Sequence, residues 1–262
     1  MRRFFYTAFA LILLLAGAVS VPAQAEDDKL IRLSSLEWPP YSGANLPGQG
    51  ATIAVVRAAL AAVGYSLEVT FYPWSRAVHV AEDPSSGFAG YFPEYHSEAV
   101  ALSFRYSDPI GFGPLGFAQP TGAAITWKRL ADLDRYVIGT VKDYVNTSEF
   151  DALVAGGILN VSEALNDTSN LMKVAYHRID MAVIDENVLN YLVSHDSDLR
   201  MVADDLEFNS TLLENKSLYV CFNGANDHLT KVLNEGLALI DVNKIQREYF
   251  LALAQSEEDA SQ

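Results

Sequence analysis

The sequence predicts an α/β protein of two lobes, each a mostly parallel sheet flanked by helices. Three observations carry this. Strand-like and helix-like segments alternate from Lys29 onward, as they do where helices link parallel strands. The alternation restarts after a Gly/Pro-punctuated stretch at residues 110–121. The 262 residues, 50% hydrophobic and 19% charged, supply core for one large domain or two small ones and exclude a disordered or collagen-like chain.

The first segment is not part of either lobe. Met1-Arg2-Arg3, an apolar run at residues 8–16 and Ala23-Gln24-Ala25 read as a secretory signal peptide over residues 1–25, cleaved before Glu26. Residues 30–36 are strand-like. Residues 52–63 place Ile53, Val56, Leu60 and Val63 on one helical face, with Gly64 as the stop. Residues 66–72 alternate, with Leu67, Val69 and Phe71 on one side, the pattern of a half-buried strand. A short helix at 74–82 and a strand at 87–92 complete the first unit. In the second, Leu130 and Leu133 suggest a short helix, followed by a strand at 136–140 and a helix at 148–154 ended by Gly156-Gly157. A helix at 169–177, a buried strand at 179–184 and a helix at 186–194 follow. Leu229, Val232, Leu233, Leu237 and Ile240 form a helical stripe, and Asp241 N-caps a last helix carrying Val242, Ile245 and Tyr249. The polar end, 255–262, is expected to fray.

The chain carries 33 acidic against 18 basic residues, and the leader takes two of the basic ones, so the formal charge moves from −15 to −17 on export. Such a chain is a poor partner for a phosphate backbone, and nucleic acid is set aside. Cys221 is alone, so no internal disulfide forms, and its apolar surroundings make it a small core residue. The five histidines lack metal-ligand spacing; no metal and no cofactor is expected.

The order and spacing of several short motifs resemble the type II periplasmic solute-binding proteins of the polar amino-acid class, extracellular solute-binding protein family 3. The motifs are Trp38-Pro39-Pro40-Tyr41, Pro73-Trp74-Ser75-Arg76-Ala77, Tyr106-Ser107-Asp108-Pro109, Gly139-Thr140-Val141-Lys142, and His177-Arg178-Ile179-Asp180 followed by Val183-Ile184-Asp185. The resemblance implies a discontinuous first lobe (residues 26–116 and 220–262), a second lobe at 117–219, and two crossover strands as a hinge. It also implies a monomeric periplasmic protein that hands a small polar solute to the membrane permease of an ABC transporter.

Parallel sheets place ligands beyond the carboxyl ends of their strands. Applied to the strands above, that rule selects loops containing Trp38, Tyr41, Trp74, Arg76, Phe92, Tyr95, Tyr144 and Asp185 as candidate ligand-binding residues. Aromatic walls with one cation and one anion suit a small polar or amine-bearing solute, because the rings exclude water and strengthen charge-assisted hydrogen bonds. Each has a plainer alternative: Trp38 and Trp74 as core anchors, Arg76 as the partner of a surface acid such as Glu82, Asp185 as a helix N-cap. For Asp185 the family resemblance implies a grip on a ligand amino group.

Gly111-Phe112-Gly113-Pro114-Leu115-Gly116 fits G-x-G-x-x-G, but Pro114 and the extended apolar continuation argue for a crossover strand rather than a phosphate-binding turn. The resemblance also marks a departure. Where the family's amino-acid binders carry an arginine for the α-carboxylate, this chain has Val100, which puts ordinary amino-acid binding in doubt and leaves Arg76 or Arg105 as substitutes. Two other functions remain open on this scaffold: a sensory protein that reports occupancy to a receptor, and a dehydratase-like enzyme using Glu94 and His96 for acid–base work. Binding without catalysis is the leading expectation.

Overall fold

A computed structural model describes residues 29–261 of the chain. The expected signal peptide lies outside the described residues. Strand β1 (Leu30–Ser35) pairs in parallel with β2 (Ser66–Phe71) and with β3 (Gly90–Tyr95). Helix α1 (Ala51–Ala62) connects the first two strands, burying Ile53, Val56 and Leu60 as its periodicity requires; Gly64 ends the turn at φ 79°. Helix α2 (Trp74–Glu82) returns the chain to β3. After the one-turn helix α3 (Glu98–Ala101), β4 (Phe104–Tyr106) leads to the long crossover strand β5 (Gly111–Pro120).

The second half builds β6 (Val137–Val141), α4 (Ser148–Ala155), β7 (Asn160–Ala164), α5 (Asp167–Ala175), β8 (Met181–Asp185) and α6 (Glu186–His195). Here β7 and β8 flank β6 in parallel. The short β9 (Leu206–Phe208) precedes the second crossover strand, β10 (Glu214–Asn223). Helices α7 (His228–Leu237) and α8 (Val242–Ser261) pack back on α1. No helix among the described residues is long and apolar enough to cross a membrane.

Two parallel three-stranded units are thus joined through one antiparallel pair. The strand order is β2-β1-β3-β10-β5-β8-β6-β7, with β4 on β10 and β9 on β5. The β10–β5 ladder, from Glu214 opposite Leu115 to Leu218 opposite Gly111, turns two lobe sheets into one hydrogen-bonded surface. Helix α8 grips this ladder from outside. The buried Gln246 amide donates to the Phe112 carbonyl (2.6 Å) and accepts from the Phe112 N–H (3.1 Å).

Some boundaries moved for physical reasons. Strand β3 begins three residues later than expected, because Pro84–Ser86 form a 3-10 turn closed by Gly87 in the left-handed region. Helix α5 begins at Asp167 because the Asn166 side chain accepts from Ser169 N–H at 2.8 Å. Asp241 caps α8 as expected, accepting from Lys244 N–H at 2.9 Å, but the helix runs to Ser261 rather than fraying from 255.

Candidate functional site

Residues at or just beyond the carboxyl ends of β1, β2, β3 and β6 come together, and most of the selected aromatic residues meet there. Trp38, Trp74, Tyr95 and Tyr144 line one cavity with Leu36, Pro93, Glu94, Val145 and Leu218. It encloses about 300 Å³, counting the mouth that opens to solvent. Trp38 and Tyr144 also line a second cavity, about 630 Å³ with its open solvent counted, whose walls include Asn166, Asp167 and Thr168. The rings are mutually braced. Trp38 stands edge-on to Tyr95 (6.0 Å between centroids, 84°) and Trp74 edge-on to Tyr144 (5.9 Å, 82°).

Contacts tie the two lobes together on both sides of this box. On one side the Tyr41 hydroxyl lies 3.1 Å from each oxygen of Asp185 and accepts from Asn187 Nδ2 at 2.7 Å. Tyr41 stacks on Trp38 at 4.7 Å. On the other side the Trp74 indole N–H donates to the Asp143 carbonyl at 3.0 Å, and the Ser75 hydroxyl bonds the Asp143 carboxylate. Asp185 is also the N-cap of α6, accepting from Asn187 N–H (2.8 Å) and Val188 N–H (3.3 Å). One buried carboxylate therefore caps a helix and receives a hydroxyl from the opposite lobe.

The electrostatics are dominated by buried acids. Glu94, 5% exposed, accepts from the Tyr91 hydroxyl (3.0 Å) and the Tyr95 N–H (2.8 Å). Burial nevertheless pushes its carboxyl up to about 8. Asp167, beside the Tyr144 hydroxyl at 3.3 Å, and Asp185 are each pushed up to about 7, again chiefly by burial. Burial and the nearby acids together hold the Tyr41, Tyr95 and Tyr144 hydroxyls protonated well above the usual phenol range. Lys216, on β10, is 6% exposed; its ammonium lies 5.3 Å over the Tyr95 ring and 3.8 Å from Glu214. The buried Tyr95 hydroxyl has no hydrogen-bond partner among the described residues.

Not every selected residue joins this cluster. Phe92 is fully buried in the core beneath the site. Arg76 is exposed, its guanidinium 4.9 Å over the Tyr72 ring rather than paired with Glu82, and Arg105 is exposed on β4. Val100 packs beside Ala81, Tyr91, Phe104 and Cys221, behind the cavity wall. Neither cavity has a basic side chain among its lining residues. His96 is exposed, its ring 4.7 Å from that of Tyr106, whereas Glu94 faces the cavity. Asp167 and Lys216 escaped sequence reasoning. Asp167 follows β7, a strand not read from the sequence, and the strand-end rule would have found it had β7 been recognised.

Neither a protein-family model nor a curated protein sequence matches the chain. Solved structures do. The GluR0 ligand-binding core from Nostoc punctiforme, in complex with L-glutamate, aligns with a TM-score of 0.65 and 16% identity, over 84% of this chain and 97% of that one. An ancestral arginine-binding protein bound to arginine gives 0.68 and 14%, over 86% and 97%. A histidine kinase sensor domain with similarity to periplasmic binding proteins gives 0.70 and 17%, over 87% and 96%. At these identities the likeness establishes the fold, and the fold is that of the type II periplasmic binding proteins.

Proposed function

We propose, from the premise of a two-lobed periplasmic-binding-protein fold, that this protein captures a small amine-bearing solute between its lobes and delivers it to the permease of an ABC transporter. The observation that carries the solute class is the pair of buried acids Glu94 and Asp167, each in the wall of one of two cavities that share Trp38 and Tyr144 and have no basic residue in their lining. A cation entering the box is shielded from water by rings and answered by carboxylates, and both effects strengthen in a dry site. In this reading Trp38, Trp74, Tyr95 and Tyr144 wall the ligand, Glu94 and Asp167 answer its charge, and the Tyr41–Asp185 contact holds the closed form. Arg76 and Phe92 take no part.

An α-carboxylate fares worse. With Val100 behind the wall and both candidate arginines at the surface, only Lys216 is near, and Glu94 and Glu214 already face it. A carboxylate enclosed there loses hydration and regains little.

The remaining parts belong to the same proposal. The leader directs the chain to the periplasm, the lobes span residues 26–116 with 220–262 and residues 117–219, and a monomer closes about β5 and β10. A thermal-shift panel tests the solute class. Ligand at about 100 times its dissociation constant adds roughly 2.7 kcal/mol, or roughly 5–11 °C in a chain of this size. Amine-bearing solutes without an α-carboxylate are expected to give that shift and the twenty common amino acids are not. A full shift from any common amino acid overturns the reading.

A further inference from the structure

We propose that the cavity walled by Trp38, Trp74, Tyr95 and Tyr144 is built for an alkylated ammonium group, a nitrogen carrying methyl groups, rather than for a primary amine. This rests on the amine reading above and narrows it.

The argument is an inventory of what the walls offer. Four aromatic side chains, Trp38, Trp74, Tyr95 and Tyr144, line the cavity, and Leu36, Pro93, Val145 and Leu218 fill the gaps with hydrocarbon. The rings form two edge-on pairs, at 84° and 82°, so aromatic surface bounds the space in more than one direction. Ring faces attract cations, and a methylated ammonium spreads its charge over C–H surface that packs against them. A primary ammonium instead brings three N–H donors, each needing an acceptor once water is excluded.

Side-chain acceptors are scarce. Glu94 is the one carboxylate in the lining, and it already accepts from Tyr91 and Tyr95. The Tyr144 hydroxyl is committed to Asp167, and the Trp74 indole donates to Asp143. That leaves the unpartnered Tyr95 hydroxyl, on a residue more than nine-tenths buried, to meet a polar atom elsewhere on the ligand. The Tyr95 ring already carries one ammonium, that of Lys216, on a face 5.3 Å away.

Matched probes differing by three methyl groups provide the test: choline against ethanolamine, and trimethylglycine against glycine, titrated calorimetrically into the leaderless protein. At least one trimethylated member is expected to bind about 30-fold or more tighter than its unmethylated partner, the equivalent of about 2 kcal/mol for a desolvated cation–π site. Choline is expected to be that member; tight binding of trimethylglycine would overturn the argument against an enclosed carboxylate. Trp74→Leu, with an unchanged circular dichroism spectrum, is expected to erase most of that ratio. If ethanolamine binds as tightly as choline, the alkyl-ammonium inference fails while the amine reading stands; glycine binding as tightly as trimethylglycine overturns both. If none of the four binds, the inference fails; if larger primary amines also give no thermal shift, the amine reading fails with it. A methyl preference that survives Trp74→Leu also overturns the cage.

Discussion

Glu94 sits at the end of β3 among rings, and its protonation sets how the cleft responds to pH. Its carboxyl ordinarily titrates near 4.5 and here does so near 8. Tyr91 and the Tyr95 N–H donate to it and Lys216 faces it, yet desolvation outweighs all three. Between those pH values the folded protein keeps a proton that the unfolded chain has lost. Stability is therefore greatest at the acid end and falls as pH rises toward 8, by about 1.4 kcal/mol per pH unit for such a group. Asp167 and Asp185, raised to about 7, act in the same direction. The unliganded protein is expected to melt at a higher temperature at pH 5.5 than at pH 8, and Glu94→Gln to flatten that slope. Cation binding has the opposite sign, because the carboxylate must first lose its proton, so affinity should rise toward pH 8 and level off. Melting curves and titrations across this range check both; a pH-independent wild type refutes them. At this scale the sequence named Asp185 in both its roles, and the structure places the cap directly. Lys216 was illegible, since a lysine inside an apolar strand gives no sign of the carboxylates that will surround it.

At the scale of elements, the glycine motif on β5 shows how a pattern can be visible while its reason is not. A Cβ at Gly113 would lie 2.0 Å from Asp185 Oδ2 and 2.2 Å from the Tyr41 hydroxyl; at Gly116 it would meet the Phe208 ring at 2.5 Å. These glycines let side chains from both lobes close against the crossover strand, a need that no phosphate imposes. Gly113→Ala is expected to cost roughly 1–3 kcal/mol by overpacking and to push the Tyr41–Asp185 contact apart. Urea denaturation measures the first effect; an unchanged midpoint would show that the strand yields freely. The main strands were legible because burial on one or both faces leaves an apolar record. Strand β7, Asn-Val-Ser-Glu-Ala, was not: it lies at the sheet edge, where only Ala164 is buried. Missing it hid Asp167, whose place in the cleft depends on that strand's end.

For the whole molecule, the lobes meet at Tyr41–Asp185 on one side and at Trp74 and Ser75 with Asp143 on the other, while the β5–β10 ladder joins their sheets. If closure follows ligand, small-angle scattering should show a smaller radius of gyration on saturation with a bound solute. An unchanged profile would mean that the lobes stay together without one. The two-lobe plan was legible from the restarted alternation; the single hydrogen-bonded surface was not, since pairing between strands about a hundred residues apart leaves no local trace. That long-range pairing also fixes an order of assembly. β10 lies between β3 and β5 yet is the last strand to leave the ribosome. Until it arrives, β3 presents a bare edge, while β6, β7 and β8 already have one another. A product stalled or clipped before residue 214 would hold that edge open indefinitely and offer it to any passing chain. Its aggregation would then reflect the timetable of synthesis rather than any weakness in the finished sheet.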